Sequence, residues 1–380
     1  MPDDPNTFPL LRLGRLELDP GLRALQPGHD ASGLVATATV EVPDSVSEPQ
    51  YAWDVALADA AREAAKLGAD ERTAQALVAG AGNALAGGTW IVVAAHGQVL
   101  LARRLPHGAA APEVRVGPLP HLLQAAAFAA RRPAHVVLLA GRGDAAVIAH
   151  AAGDQRPARR FGAPGTRRDT HPDRPPAQHH GERHVTGSEP ESGGERNAAS
   201  IAVRVSEAAA SVDAHIVLGA GDQHILDAVA GHLPGPLRPF TTITEGPVPT
   251  DSDDQLSARI GATLDGITGE AIGAVGNMVA SSAAGAAYGI DAVAEQLAEQ
   301  QVAVLLLAAD LARDGDDGAS YRIGRRPTEF IAGDSDAGTD VPLEDGLVWA
   351  ALHQDAIVVQ LPDRSGPLAG QPVAALLRRG

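Results

Sequence analysis

Residues 134–150, AHVVLLAGRGDAAVIAH, contain the pattern that decides the fold. Two short apolar runs, His135–Ala140 and Ala145–His150, have the length and composition of strands. They flank Gly141-Arg142-Gly143-Asp144, which is typical of a turn because glycine readily adopts the backbone angles that tight turns need. The stretch therefore predicts a β-hairpin.

The chain after this hairpin alternates between helix and strand patterns. Residues 197–211 carry apolar side chains at helical spacing, and residues 215–218 form an apolar run typical of a buried strand. Asp222 is then a suitable N-cap for a helix that ends near Leu233. Strands and helices that alternate in this order predict an α/β layer.

Similar patterns lie on both sides of this central region. Before it, Val35–Val42 alternates like a strand, and His96-Gly97 is a predicted hairpin turn. After it, residues 255–287 predict a linking helix, Leu343–His353 has a helical pattern and Val373–Leu377 is a last apolar run. The predicted fold class is α/β, with three α/β domains. Their predicted bounds are residues 1–131, residues 132–254, and residues 255–380 with the linker helix included.

The composition excludes several classes of protein. The 380-residue chain contains no cysteine, which excludes disulfides, thiolate nucleophiles and thiolate metal sites. No apolar run approaches the ~18 residues of a membrane-spanning helix, and the N-terminal MPDDPNTFPLL is acidic where a signal peptide is basic. We therefore expect a cytoplasmic protein with no membrane partner. Because the formal net charge is -17, any RNA would have to bind to local basic patches.

The segment at residues 154–197 is basic within this acidic chain. It is rich in Pro, Gly and His, shows no apolar period and predicts a long, exposed, cationic loop in the middle domain. A polyanion is the natural partner of such a loop, so we expect it to bind RNA, although a solvated linker is the alternative. The candidate RNA-binding residues are Arg156, Arg159, Arg160, Arg167, Arg168, Arg174, His179, His180, Arg183 and His184.

Four histidines in this segment, His171, His179, His180 and His184, invite a metal assignment. The spacing of His180 and His184 would bring two ligands together only on a helix, and the segment has no helical pattern. We therefore expect no metal site here, and no cofactor is implied by any motif in the chain.

The order of these units resembles that of the archaeo-eukaryotic class I release factors and Pelota. The resemblance is closer to the bacterial branch of that superfamily, which includes the ribosome hibernation factors of the Balon type. It rests on AHVVLLAGRGDAAVIAH (134–150), GGERNAASIAVRVSEAA (193–209), AHIVLGAGDQHILDAV (214–229), QVAVLLLAADL (301–311) and DAIVVQLPD (355–363). The first 130 residues match mainly through GPLPHLLQAA (117–126).

The resemblance also points to one position where chemistry is in question. In release factors the middle-domain loop carries Gly-Gly-Gln to the peptidyl transferase centre, and the corresponding position here reads Gly193-Gly194-Glu195. A glutamate would bring an acceptor-only anion into a site surrounded by phosphates. The simpler alternative is structural, because Ser192 and Glu195 have the spacing of a helix capping box.

The resemblance implies a ribosome-binding translation factor. We expect it to contact rRNA in the A-site region of idle or stalled ribosomes, to protect them without hydrolysis, and to engage an elongation-factor GTPase through its third domain. Two alternatives stay open. One is hydrolysis of peptidyl-tRNA with the help of Gly193, Gly194 and Glu195, and the other is cleavage of tRNA by the loop arginines and histidines.

Overall fold

A computed structural model of the protein describes most of the chain. The described residues are 9–26, 33–42, 49–80, 88–105, 111–141, 145–153, 159–163, 191–237, 240–245, 253–281, 285–311, 320–324, 330–331 and 338–378.

Helices and strands alternate along these residues, and the predicted α/β class is confirmed. The helices are α1 (Pro20–Arg23), α2 (Pro49–Lys66), α3 (Glu71–Ala79), α4 (Leu123–Arg131), α5 (Glu191–Val212), α6 (Gln223–His232), α7 (Asp253–Ser281), α8 (Ile290–Ala298) and α9 (Leu343–His353). The strands are β1 (Val35–Val42), β2 (Gly88–Ala95), β3 (Gln98–Leu105), β4 (Glu113–Gly117), β5 (His135–Ala140), β6 (Ala145–His150), β7 (Arg159–Ala163), β8 (Ile216–Gly221), β9 (Phe240–Glu245), β10 (Ala286–Tyr288), β11 (Val302–Ala308), β12 (Ser320–Ile323), β13 (Phe330–Ile331), β14 (Thr339–Pro342), β15 (Ile357–Leu361) and β16 (Val373–Leu377). No helix among the described residues is both long and apolar enough to cross a membrane.

The N-terminal sheet has the strand order β3-β2-β1-β4 and is antiparallel throughout. Its β2–β3 hairpin turns at His96 and Gly97, whose φ angles of 52° and 75° are those of a two-residue hairpin loop. Helices α2 and α3 cover one face and bury Trp53 against Trp90, with ring centroids 5.2 Å apart. Asp70 is the N-cap of helix α3, because its side chain accepts hydrogen bonds from the backbone N–H groups of Arg72 and Thr73.

The middle sheet has the strand order β7-β6-β5-β8-β9. Strands β5, β8 and β9 are parallel, whereas β6 and β7 are antiparallel to their neighbours. Helices α5 and α6 cover one face, where Ile201 and Leu226 pack with Leu138. The other face packs Leu218 against Leu264 of α7. This is the α/β layer that the apolar runs predict.

The C-terminal region holds a four-stranded sheet of order β10-β16-β11-β15 and a three-stranded sheet of order β13-β12-β14. Trp349 of α9 is buried in the core between them, as are Leu305 of β11 and Val341 of β14. All three tryptophans of the chain, Trp53, Trp90 and Trp349, fill core positions and are no more than 6% exposed.

Helix α4 lies where these parts meet. Seven of its residues are buried, and its core cluster joins Phe128 to side chains of the N-terminal and C-terminal sheets. Gly14 donates its N–H to the Ala130 carbonyl, and a side chain at Gly14 would overlap the Ala129 carbonyl oxygen. On the middle-sheet side, Gly153 donates to the Arg132 carbonyl at 2.7 Å. Small residues therefore let two further segments approach the end of α4 closely.

The structure corrects the predicted bounds of the basic loop at residues 154–197. Strand β7 lies inside that range and pairs with β6, and α5 begins at Glu191. Strand β7 was not predicted, because its five residues, RRFGA, show no alternation of apolar and polar residues. They form a strand because they pair with β6. The stretch between β7 and α5, residues 164–190, lies outside the described residues. The domain bounds at 131 and 254 stay predictions.

A pair of histidines closes the end of the β5–β6 hairpin. His135 and His150 face each other across the ladder and stack with ring centroids 4.6 Å apart. His135 is 4% exposed, and its Nδ1 lies 2.9 Å from the Pro133 carbonyl, so Nδ1 must carry the proton. Its Nε2 is buried with no hydrogen-bond partner. Burial, aided by the charges of His150 and Arg132, lowers the pKa of His135 to about 4.

This burial predicts a specific acid sensitivity. Since the pKa of His135 is 6.5 in its ordinary state and about 4 when folded, the unfolded chain binds more protons between these values. The free energy of unfolding should therefore fall as the pH falls through this window, by up to about 1.4 kcal/mol per pH unit from this residue. His135→Asn keeps a donor for Pro133 and removes the titration, so its urea unfolding should depend less on pH. The exposed His232→Asn should behave as the parent protein, and an unchanged pH slope in His135→Asn would contradict the account.

Candidate functional site

The basic segment begins and ends at one edge of the middle sheet. Ala163, the last residue of β7, pairs with Ala145, which pairs with Ala140 at the end of β5. Strand β7 therefore leaves the sheet at the carboxyl ends of the parallel strands. Helix α5 ends shortly before β8 begins, so it runs back over the sheet and its N-terminus lies towards this same edge. Residues 164–190 connect these two points.

Helix α5 extends beyond the strands that it covers. It has 22 residues and a length of about 33 Å, against about 20 Å for the six-residue β5. Among the α5 side chains that the structure describes, those that pack on the sheet run from Ala198 to Val212. The first turns of α5 consequently lie at the edge where the basic segment attaches. In open α/β sheets, ligands bind outside the carboxyl ends of the strands, so this edge is the candidate nucleic-acid interface.

The predicted RNA-binding residues divide into two groups. Arg159 and Arg160 lie in β7, where their backbones pair with Ala149 and Ile148 of β6. The other predicted residues lie outside the described part of the chain: Arg156, Arg167, Arg168, Arg174, His179, His180, Arg183 and His184. Their role in binding RNA stays a prediction.

Gly193, Gly194 and Glu195 lie within the first turns of α5 and not in a loop. The capping-box interpretation is wrong in its register, because α5 begins at Glu191 and Ser192 is already helical. Each glycine costs about 1 kcal/mol relative to alanine in a helix, and the packing of the later turns of α5 offsets this cost. The backbone at the position that corresponds to Gly-Gly-Gln is therefore helical.

A second cluster of chemically capable side chains lies where the N-terminal sheet meets α9. His121 follows β4, and its backbone N–H donates to the Thr37 hydroxyl of β1 at 3.1 Å. Its Nδ1 lies 2.7 Å from Asp345 Oδ1 and 3.6 Å from Glu344 Oε1. The two acids occupy the first turn of α9, where the helix dipole favours negative charge. His121, Glu344 and Asp345 are each no more than 7% exposed.

The surroundings of this cluster raise the pKa of both His121 and Glu344, which favours the charged form of the histidine and the neutral form of the glutamate. Burial alone lowers the pKa of His121, but the hydrogen bond and charge of Asp345 outweigh burial and raise it above its ordinary value. Burial raises the pKa of Glu344. Arg115 of β4 lies beside the cluster. Its Nη1 is 3.2 Å from His121 Nδ1, and its Nε donates a hydrogen bond to Glu113 Oε1.

The cluster was not predicted from the sequence. His121 lies within the quoted motif GPLPHLLQAA, and Glu344 and Asp345 lie at the start of a predicted helix. His121 and Asp345 are 224 positions apart, so no local spacing connects them. Acids in the first turn of a helix are ordinary dipole partners, which leaves no further signal in the sequence.

One protein-family model matches the middle part of the chain. Residues 125–284, less than half of the chain, match the model of the bacterial archaeo-eukaryotic release factor family 2. The match supports the predicted resemblance to the bacterial branch of the archaeo-eukaryotic release factor superfamily for this part of the chain. The closer relationship to Balon-type factors stays a prediction. No curated protein shows a significant sequence match to the chain.

Several solved structures are similar to the chain. Pelota of Archaeoglobus fulgidus is 15% identical, with 98% of this chain and 92% of that chain covered and a TM-score of 0.33. An archaeal Pelota, in a model of the ribosome-bound protein with ABCE1, is 12% identical over 91% of this chain and 90% of that chain, with a TM-score of 0.41. S. cerevisiae Dom34, a translation termination-like factor that interacts with Hbs1, is 10% identical over 74% and 73%, with a TM-score of 0.35.

The helical backbone at Gly194 can be tested by substitution. Gly194→Ala should raise the free energy of unfolding by about 0.5–1 kcal/mol, because alanine is the better helix former. Gly68→Ala is the matched control, since Gly68 has open space around it but a φ of +102°, so the added side chain should destabilise the protein. Urea unfolding measures both. A decrease in stability in Gly194→Ala as large as that in Gly68→Ala would show that residue 194 is not helical.

Proposed function

We propose that the protein is a ribosome-binding factor that occupies the A site of idle or stalled ribosomes and protects them without hydrolysing peptidyl-tRNA, as a Balon-type hibernation factor would. The observation that carries the proposal is the state of Gly193-Gly194-Glu195. These residues lie within the stretch that matches the release factor family, yet the glutamine is absent and the backbone is helical.

A helical backbone at this position argues against hydrolysis on geometric grounds. According to the resemblance, the release-factor glycines let backbone approach the ester bond, which needs an extended or irregular chain. In α5, the backbone carbonyls of residues 193–195 point along the helix axis towards the N–H groups four residues later. Glu195 would add an acceptor-only carboxylate where rRNA phosphates are dense, which is unfavourable. Binding without catalysis is the function that this arrangement supports best.

The charge distribution supports RNA as the partner of the middle domain. Between Arg156 and His184 there are seven arginines and three acids, in a chain whose net charge is -17. Such a contrast attracts a polyanion to one place and keeps the rest of the surface away from it. The elements that flank residues 164–190 belong to this layer: β7 is the edge strand of the sheet, α5 covers one face, and both faces are packed. A cationic segment on a rigid base is suited to insertion among rRNA phosphates.

We extend the proposal to the outer domains on the strength of the resemblance. The N-terminal domain would lie near the decoding centre, and the C-terminal domain would contact an elongation-factor GTPase. The packing of α4 against both outer sheets supports a joint role, because the two domains share one core cluster and would dock together.

The proposal predicts a salt-dependent interaction with ribosomes. Replacing Arg159, Arg160, Arg167 and Arg168 with Gln should weaken ribosome binding, because counterion release drives the binding of arginines to phosphates. For every phosphate that is no longer neutralised, the slope of log affinity against log salt should become shallower by about 0.7–0.9. Co-sedimentation with ribosomes across a salt series measures both effects, and a parallel assay should find peptidyl-tRNA intact.

The matched control changes the same amount of charge elsewhere. Arg62, Arg72, Arg204 and Arg259 are exposed arginines of α2, α3, α5 and α7. Their combined replacement with Gln should leave the salt slope close to that of the parent protein. Equal slopes for the two quadruple variants would refute the basic segment as the RNA-binding surface. Peptide release by the parent protein would refute the blocking role and favour hydrolysis.

A further inference from the structure

The cluster of His121, Glu344 and Asp345 contains more hydrogen-bond acceptors than donors. The Nδ1 atom of His121 lies 2.7 Å from Asp345 Oδ1 and 3.2 Å from Arg115 Nη1. It can donate to the carboxylate or accept from the guanidinium, but it cannot do both. Glu344 is 6% exposed, and its Oε2 is buried with no hydrogen-bond partner. A buried carboxylate oxygen without a partner is costly unless a cation or a proton occupies the space beside it.

We propose that His121, Glu344 and Asp345 form a binding site for a divalent cation that joins the N-terminal sheet to helix α9. One imidazole nitrogen and two carboxylates form a donor set that Zn²⁺ and Mn²⁺ both accept. The candidate donor atoms lie within 4.8 Å of one another. This inference is independent of the ribosome-binding proposal, because the cluster lies away from β7 and the first turn of α5.

The two distances from His121 Nδ1 to the carboxylates allow an ion to enter beside the imidazole with small movements. Donor atoms bound at about 2.1 Å in a tetrahedral site lie about 3.4 Å apart. The 3.6 Å between His121 Nδ1 and Glu344 Oε1 already fits this arrangement. The 2.7 Å hydrogen bond between His121 and Asp345 would lengthen by about 0.7 Å as the ion replaced its proton. A water or a second carboxylate oxygen would complete the coordination.

The local charge also favours a divalent ion, although Arg115 opposes it. With His121 neutral, Glu344, Asp345 and the neighbouring Glu113 contribute three negative charges, and Arg115 contributes one positive charge. The remaining charge of about -2 matches that of one divalent ion. Arg115 Nε already donates a hydrogen bond to Glu113 Oε1 at 2.7 Å. This bond can hold the guanidinium while Arg115 Nη1 moves away from His121.

A proton is the competing occupant, and one substitution separates the two. Glu344→Gln replaces the carboxylate with an amide of nearly the same shape that supplies its own donor, as a protonated Glu344 would. If the site holds only a proton, Glu344→Gln should fold as the parent protein does, and the substitution should leave metal binding by the protein unchanged. If the site holds a metal ion, this variant should lose affinity for the ion, because one charged ligand is gone.

The test uses the full-length, tag-free protein with His171, His179, His180 and His184 replaced by Ala, which removes competing imidazoles. After chelator treatment, Zn²⁺ and Mn²⁺ are titrated separately by calorimetry and by thermal unfolding. We expect one ion of at least one of these metals per chain and a rise in Tm on binding. Glu344→Gln should bind at least tenfold more weakly, whereas Glu295→Gln, at an exposed position of α8, should bind as the background protein does.

Two outcomes would overturn the proposal. One is the absence of stoichiometric binding of either ion by the background protein. The other is unchanged binding in Glu344→Gln, which would assign the ion to another place. If Glu344→Gln fails to fold, Asp345→Asn serves in its place, with the same expectation of at least tenfold weaker binding.

Discussion

The burial of helix α4 is the constraint on which the rest of the structure depends. Ala125, Ala126, Phe128 and Ala129 lie in a core that also contains side chains of the N-terminal and C-terminal sheets. Gly14 and Gly153 bring two further segments into hydrogen-bond contact with the end of this helix. Because a large side chain on α4 would separate these parts, its small residues fix how the sheets meet. Arg132 extends the junction to α7 through paired hydrogen bonds to Asp265.

This packing gives the basic segment a firm base. The middle sheet is covered on both faces, and its edge strand β7 and helix α5 lead into the stretch at residues 164–190. A cationic segment held at both ends binds an RNA surface at a smaller cost in chain entropy than a free tail would. In the proposed role, the acidic remainder of the protein would limit RNA binding to that segment. Fold and charge therefore support the same proposed role, binding without chemistry.

The parts of the fold that could be predicted are those with a local cause. His135–Ala140 and Ala145–His150 are short apolar runs, and both are strands with the predicted bounds. Strand β7 could not be predicted, because RRFGA becomes a strand only by pairing with β6. The cluster at His121 and Asp345 depends on contact between the two outer sheets, and single-sequence spacing carries no information about it. The cluster of arginines in the basic segment can be read directly from the sequence. The positions of these arginines in the fold cannot, because they depend on contacts with distant parts of the chain.

A cryo-electron microscopy structure of ribosomes with the full-length protein bound tests the central claim most directly. The account predicts density for the protein in the A site, with residues 164–190 against rRNA of the large subunit and any P-site peptidyl-tRNA intact. The first turn of α5, with Gly193 and Gly194, should remain helical in the complex. Binding at another site, or an unwound Gly193-Gly194-Glu195 beside a hydrolysed ester, would contradict it.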